Sequence, residues 1–325
     1  MPPSLLLSLP DVLRARRELR ALLFASASAA GQSDAPFARA VKDDYLAVLG
    51  SNLPLFHALE QITEAGSLAG LRLVPFKGGC LAVTHYGDPG ARAMVDLDVL
   101  CAPSELLQAG ELLRSLGFGQ TPQADYRRSA GALHDLQFQR GSVHVELHHA
   151  LWHEISIDRD PTGLLERAQE VPFGAVTAFA PAPADHLYVV LVHAAIHAFA
   201  GNAAWIADAL LLAHGREDLW AEAEALAART RARVALSAAL DHLELVCPGR
   251  CPRAARGPAR ARRALVRRMA PWLQRGEVDL GRLPSRLVRP LLIDRPGDAA
   301  RWAAGKVRLL AGGLAEAVRA RIAKW

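Results

Sequence analysis

The chain has 325 residues, of which 51% are hydrophobic and 22% charged, so it can bury a sizeable core and is far from a disordered composition. No apolar run approaches the ~20 residues that span a bilayer. In the opening MPPSLLLSLPDVLRARRELR the basic residues follow the apolar patch, the reverse of a secretory signal, so a cytoplasmic protein is expected.

The net charge of +5 is unevenly spread. From Arg250 onward there are 19 Lys and Arg against 5 Asp and Glu, which leaves 19 against 28 in the preceding 249 residues. The four cysteines, Cys80, Cys101, Cys247 and Cys251, exclude a disulfide framework. CPGRC at 247–251 has no neighbouring Cys or His pair to complete a zinc site and reads as a helix-terminating turn.

Residues 1–66 carry apolar positions at three- and four-residue spacing and read as a helical lead-in that packs on the adjoining domain. Gly66 and Gly70 bracket a loop, LRLVPF forms a first strand, and Lys77-Gly78-Gly79 makes its turn. A short helix over Cys80–Tyr86 ends in GDPG. AMVDLDVLC is a second strand. SELLQAGELLRSLGF is an amphipathic helix with Ser104 as N-cap and Gly117 near its end. HDLQFQRG and SVHVELHHAL form a hairpin around Arg140-Gly141. From Pro181 the pattern is helical. The division is therefore 1–66, an α/β domain at 67–180, a helical domain at 181–249 and an Arg-rich helical region at 250–325. The fold class is α+β, a small mixed sheet flanked by helices with a large helical second half.

The chemistry concentrates in the α/β part. Side chains alternate along a strand. Val95, Leu97 and Val99 should therefore share one face, and Asp96 and Asp98 the other. Burying two carboxylates costs on the order of several kcal/mol each unless positive charge meets them. In SVHVELHH, Glu146 and His148 occupy the polar face, offering a third carboxylate from a separate strand. Three carboxylates beside a triphosphate suit Mg²⁺ or Mn²⁺. Gly78 and Gly79 at a strand-to-helix turn admit close approach of a phosphate, and Lys77 can reach one. Neither a P-loop nor a dinucleotide fingerprint is present.

In this order, KGG…R-x-x-x-D-x-D…V-E-L-H resembles the polymerase-β-like nucleotidyltransferase superfamily. More narrowly, VPFKGGCLAVTHYGDPGARAMVDLDVLCAP…VHVELHHAL resembles an uncharacterised bacterial group found beside exopolysaccharide and lasso-peptide biosynthesis genes. The resemblance covers about residues 40–245 and includes PADHLYVVLVHAAIHAF…WIADALLLA. It implies that Asp96, Asp98 and Glu146 hold metal ions, with Glu146 as base for the acceptor hydroxyl. It also implies that Gly78 and Gly79 hold phosphates, while Lys77 and Arg92 neutralise them. The implied reaction is Mg²⁺-dependent transfer of a nucleoside monophosphate from an NTP to a small-molecule, sugar or peptide hydroxyl. The alternative is a catalytically silent binder of the same fold. Phe76 and Pro75 depart from the group's pattern, and an arginine expected before the helical D-L is replaced by Ala203 or Ala204.

Among the histidines, His148 shares a face with Glu146 and can orient it, and is placed with His193 among the nucleotide contacts. His193 and His197 share a helix face, but HAAIH lacks the base of a zinc-protease motif, and zinc would require Asp208 as third ligand. The basic region has little aromatic interleaving, which disfavours nucleic acid as partner. It could still meet an anionic membrane or an acidic partner.

Overall fold

The computed structural model describes residues 16–121, 134–152, 157–174, 176–199, 203–251, 260–274, 291–295 and 297–300. Much of the Arg-rich region 250–325, expected to be helical, lies outside them. Helices α1 (Arg17–Ala29), α2 (Pro36–Ala40) and α3 (Lys42–Leu68) form the lead-in. Pro36 opens α2, where its fixed φ suits a first turn and its missing N–H has no partner to lose. The loop expected from Gly66 begins later, because α3 continues to Leu68. Gly66 is buried in the helix, where a Cβ would lie 2.8 Å from Leu73 Cδ1. The chain reverses at Gly70, whose φ of +69° a side chain would resist.

Five strands come next: β1 (Val74–Phe76), β2 (Leu97–Leu100), β3 (Gly119–Gln120), β4 (Asp135–Arg140) and β5 (Val143–His148). They form one mixed sheet in the order β1-β2-β5-β4-β3, in which only the β2–β5 pair is parallel. The β4–β5 hairpin turns at Gly141 (φ +57°), as the sequence leads one to expect. This order makes Asp98 the register partner of Glu146 on one side and of Phe76 on the other. The mixed sheet flanked by helices confirms the α+β class.

Strand alternation divides the core. Leu97, Val99, Val145 and Leu147 pack with Leu55, Leu59 and Ile62 of α3, and with Ala109 and Leu113 of α5 (Leu106–Ser115). Val74, Phe76 and Leu100 join a larger core with α1 and the helical half. Ser104 does not cap α5. It lies in a 3₁₀ turn, Pro103–Glu105, and makes no capping bond. A hairpin that the sequence pattern does not signal, β6 (Gln169–Phe173) and β7 (Val176–Ala180), lies against α3 and β1.

The helical half comprises α7 (Pro183–Ile196), α8 (Ala204–Leu212), α9 (Asp218–Arg229) and α10 (Arg233–Val246), preceded by the short α6 (Thr162–Arg167). Nearly every residue of α7 and α8 is buried, which explains why they read as apolar all round. α11 (Arg260–Gln274) packs on α10, with Arg263 paired to Asp241 at 3.1 Å. Among the described residues no helix is long and apolar enough to cross a membrane.

The first turn of α10 is capped from far along the chain. The Asp294 carboxylate accepts bonds from the backbone N–H groups of Arg233 (3.2 Å) and Val234 (2.8 Å). Asp294→Ala should therefore lower the unfolding free energy by about 1 kcal/mol in urea titration. An unchanged midpoint would mean that water caps the helix equally well.

His242 stacks on Phe199, ring centroids 4.5 Å apart and 13° from parallel, and burial pushes its pKa down to about 4. The unfolded imidazole protonates near 6.5, so the stability tied to the neutral ring is complete above pH 6.5 and is lost as pH falls toward 4. His242→Phe should flatten the pH dependence of unfolding in that window, by up to about 1.4 kcal/mol per pH unit. Parallel curves for the two proteins would remove His242 from the account.

Candidate active site

The site forms where β1 ends, β2 begins and β5 runs alongside. α4 (Lys77–Leu81) starts directly at Lys77, and a π-helical turn, Ala82–Tyr86, continues it to Gly87. Gly78 and Gly79 thus lie inside the first helical turn, and the helix begins three residues before the expected start at Cys80. A Cβ at Gly79 would meet Leu59 and Leu97 at 3.3 and 3.4 Å, so the turn sits tightly on the sheet. Lys77 takes a left-handed φ of 51°, unusual for a side-chain-bearing residue. This turns its side chain back over the sheet: Nζ donates to Asp98 Oδ1 at 2.7 Å.

Asp98 is the electrostatic centre. It is 7% exposed, and its Oδ1 also meets His148 Nε2 at 2.9 Å. His148 Nε2 is 3.4 Å from Glu146 Oε2, and Gln137 donates to Glu146 Oε1 at 3.5 Å. Burial alone would raise the Asp98 carboxyl, but the Lys77 ammonium and His148 outweigh it and hold it well below the usual carboxylate range. Burial lowers His148 in turn, while its bonds to Asp98 and Glu146 raise it on balance. Ligand atoms of Asp98, Glu146 and His148 lie within 4.8 Å of one another, close enough to hold one metal ion.

Asp96 is placed differently from the expectation. The strand begins at Leu97, not at Ala93, so the alternation does not extend to Val95, which is 80% exposed instead of sharing the buried face of Leu97 and Val99. Asp96 precedes the strand. Burial, then Asp98 and Glu146, push its pKa up to about 6. It therefore feels both other carboxylates, although it is not part of the Asp98–Glu146–His148 cluster.

Arg92 borders the Gly78 turn and pairs across the fold. Its Nε and Nη2 donate to the two oxygens of Asp208 at 2.9 and 2.8 Å, and Tyr86 OH donates to the same carboxylate at 2.6 Å. Asp208, which zinc binding at HAAIH would need, is thereby taken up by Arg92 and Tyr86. The His193 and His197 rings lie 4.3 Å apart, tilted by 33°. Burial, followed by Lys77 and the neighbouring histidines, holds His193 far below its usual pKa, so it stands neutral beside the site.

The structure thus brings Lys77, Asp98, Glu146 and His148 into direct contact, with Asp96, Gly78, Gly79 and His193 around them and Arg92 turned toward α8. Sequence reasoning misses His134, whose ring meets His148 edge-on at 5.0 Å and whose Nδ1 is 2.7 Å from Asp135. Counting the hairpin register back from Arg140 and Val143 pairs Asp135 with His148 and would have found it. The Arg92–Asp208 pair, 116 residues apart, leaves no local signal.

A strand, a glycine-bearing helical turn, a second strand with an acidic end and a third carboxylate on the adjacent parallel strand define a nucleotidyltransferase-type domain. The family described as "uncharacterised nucleotidyltransferase" matches residues 12–248, and the chain belongs to it. No curated protein matches the chain. Among solved structures it is similar to the antibiotic-resistance factor ANT(2'')-Ia (13% identity, TM-score 0.42, 55% of this chain and 94% of that one). ANT(2'')-Ia in complex with adenylyl-2''-tobramycin gives 12% identity, a TM-score of 0.42, and 54% and 98% coverage. An antigenic nucleotidyltransferase-like protein from Paracoccidioides brasiliensis gives 13%, 0.34, 57% and 92%.

The Arg92–Asp208 pair yields a direct test. Asp208→Ala leaves a buried guanidinium unpaired and should cost about 3–5 kcal/mol of stability by chemical denaturation. The double variant Arg92→Met/Asp208→Leu should recover most of that loss. A single variant as stable as wild type would mean that Arg92 can turn outward to another partner.

Proposed function

We propose that this chain transfers a nucleoside monophosphate from an NTP to a hydroxyl of a small-molecule, sugar or peptide acceptor, releasing pyrophosphate. The observation that carries this reading is the convergence of Asp98 and Glu146 from adjacent parallel strands, with Lys77 drawn onto Asp98 and Asp96 close by. The donor set fits a divalent cation: carboxylate oxygens and an imidazole nitrogen lie within 4.8 Å, and an ammonium already sits on Asp98. Mg²⁺ or Mn²⁺ held by Asp98, Glu146 and Asp96 would supply charge stabilisation of the acceptor oxygen and of the departing pyrophosphate.

The chain's own groups take the remaining roles. The amides of Gly78 and Gly79 and the Lys77 ammonium face the phosphates. Arg92, paired with Asp208, fixes the loop before β2, and its guanidinium stands against the Gly78 turn, where it helps neutralise the triphosphate. Glu146 accepts the proton of the acceptor hydroxyl as that oxygen bonds to the α-phosphorus and the bond to pyrophosphate breaks. His148 and Gln137 orient Glu146. Residues 67–180 carry the nucleotide, 1–66 buttress them, and 181–249 form the acceptor side, with His193 on its wall. The Arg-rich 250–325 is left to an acidic or membrane partner. The genomic surroundings of the resembling group favour a sugar or peptide acceptor made in a biosynthetic pathway, in the cytoplasm.

The experiment is thermal stability with each of ATP, GTP, CTP and UTP, with and without Mg²⁺ or Mn²⁺, run beside a pyrophosphate-release assay over an acceptor panel. At ~100 times its Kd the preferred nucleotide should stabilise the fold by ~2.7 kcal/mol, a shift of several degrees. Asp98→Asn should abolish the shift and slow transfer by on the order of 100-fold or more. Nucleotide binding without pyrophosphate release across the panel would favour the second reading, a silent binding protein. The closed Lys77–Asp98–His148 network is the feature that favours that reading. Loss of neither binding nor transfer in Asp98→Asn would sink both.

A further inference from the structure

We infer that the metal position nearest β5 is a two-carboxylate, one-imidazole site, Asp98–Glu146–His148, which takes a transition-series divalent cation such as Mn²⁺ in preference to Mg²⁺. The inference deepens the nucleotidyltransferase reading and rests on it. Its geometry is that of adjacent ligands on one ion. Two donors each about 2.1 Å from a cation and at right angles lie about 3.0 Å apart. His148 Nε2 stands 2.9 Å from Asp98 Oδ1 and 3.4 Å from Glu146 Oε2. Adjacent positions of a coordination sphere would therefore form with little rearrangement.

The His148 ring is held for this role. Its side chain is 1% exposed, and it lies edge-on to Phe76 (5.0 Å, 82°) and to His134 (5.0 Å, 77°). Nδ1 is buried without a hydrogen-bond partner among the described residues, so packing instead of a second bond aims Nε2 at the two carboxylates. The Lys77 ammonium, 2.7 Å from the same Asp98 oxygen, is the cation that an entering ion displaces, and its flexible four-carbon stem lets it leave.

Ligand chemistry then sets the preference. Mg²⁺ takes oxygen ligands in near-ideal octahedra and binds nitrogen poorly, whereas manganese through zinc accept imidazole more readily. Asp96, outside this cluster and offering only oxygen, remains for the cation that travels with the triphosphate.

The test is pulsed EPR of the full-length, metal-stripped chain loaded with Mn²⁺ alone. It is run on unlabelled protein and on protein carrying ¹⁵N-histidine. The expected result is modulation from a nitrogen bonded directly to Mn²⁺, converted from ¹⁴N to ¹⁵N by the label without any substitution. In competition titrations His148→Gln should reduce the preference for Mn²⁺ over Mg²⁺ about 10-fold or more. Bound Mn²⁺ that lacks a bonded nitrogen, yet is released by Asp98→Asn and Glu146→Gln, would overturn the inference while leaving nucleotidyl transfer intact. So would failure of Mn²⁺ to bind in protein whose Mg²⁺-dependent transfer is retained. A nitrogen-bonded Mn²⁺ in protein with no transfer activity would support the site and count against the reaction.

Discussion

A single carboxylate oxygen, Oδ1 of Asp98, receives both the Lys77 ammonium and the His148 ring at 2.7 and 2.9 Å. An ionised carboxylate this deeply buried persists only with such compensation. Much of the local architecture is what delivers those two donors. Lys77 arrives because α4 begins directly at the end of β1 and Lys77 itself adopts a left-handed backbone. His148 arrives because β5 runs parallel to β2, with Asp98 beside Glu146 and Leu100 beside His148. A one-residue slip in that pairing would point Val145 and Leu147 at Asp98 and leave two charges without partners. The register is thus fixed twice, by the apolar face on α3 and by the charged face over the site.

A second buried ion pair fastens the segment that leads into this arrangement. Arg92 stands in the loop between the π-helical turn and β2, and Asp208 stands on α8. Tyr86, from the turn itself, completes the cluster. The loop, the turn and the helical half are therefore held in one relation, and Asp96 comes four residues after Arg92. The histidines of α7 contribute no charge against this. His186 is pushed by burial to about 3 and His193 well below its usual range, so both stay neutral near Lys77. A neutral wall leaves the charge balance of the site to its carboxylates, Lys77 and His148.

How much of this is legible in the sequence depends on the range of the forces involved. Period-two alternation within VDLDVL and VHVELH is local, and it places Asp98, Glu146 and His148 on polar faces. The Arg-Gly turn marks the hairpin whose second strand carries Glu146 and His148. Asp96 reads as part of the strand because its neighbours fit the pattern, yet pairing with β1 and β5 stops at Leu97 or beyond, and the exposed Val95 lies outside it. The hairpin β6–β7 escapes local reading because QEVPF contains a proline and resembles a loop, whereas its place is set by packing on α3 and β1. Nothing local signals that Arg92 will pair with Asp208. The capping of α10 by Asp294, some 60 residues downstream, is of the same kind: only the folded chain shows which group satisfies which.

Three carboxylates crowded into one corner of a sheet repel one another. In Asp96 the repulsion adds to burial: desolvation first, then Asp98 and Glu146, push its pKa up to about 6. Lys77 and His148 relieve the crowding only partly. Both act on the same oxygen of Asp98, and His148 reaches Glu146 only at 3.4 Å, while Asp96 stands outside these pairs. A divalent cation carries twice the charge of an ammonium in a smaller volume, and can be shared by several oxygens at once. It would meet Asp98 and Glu146 together, whereas the Lys77 ammonium is bonded to Asp98 alone. The pairing of Lys77 and His148 with one of three carboxylates is thus an electrostatic compromise. Its cost falls most heavily on Asp96.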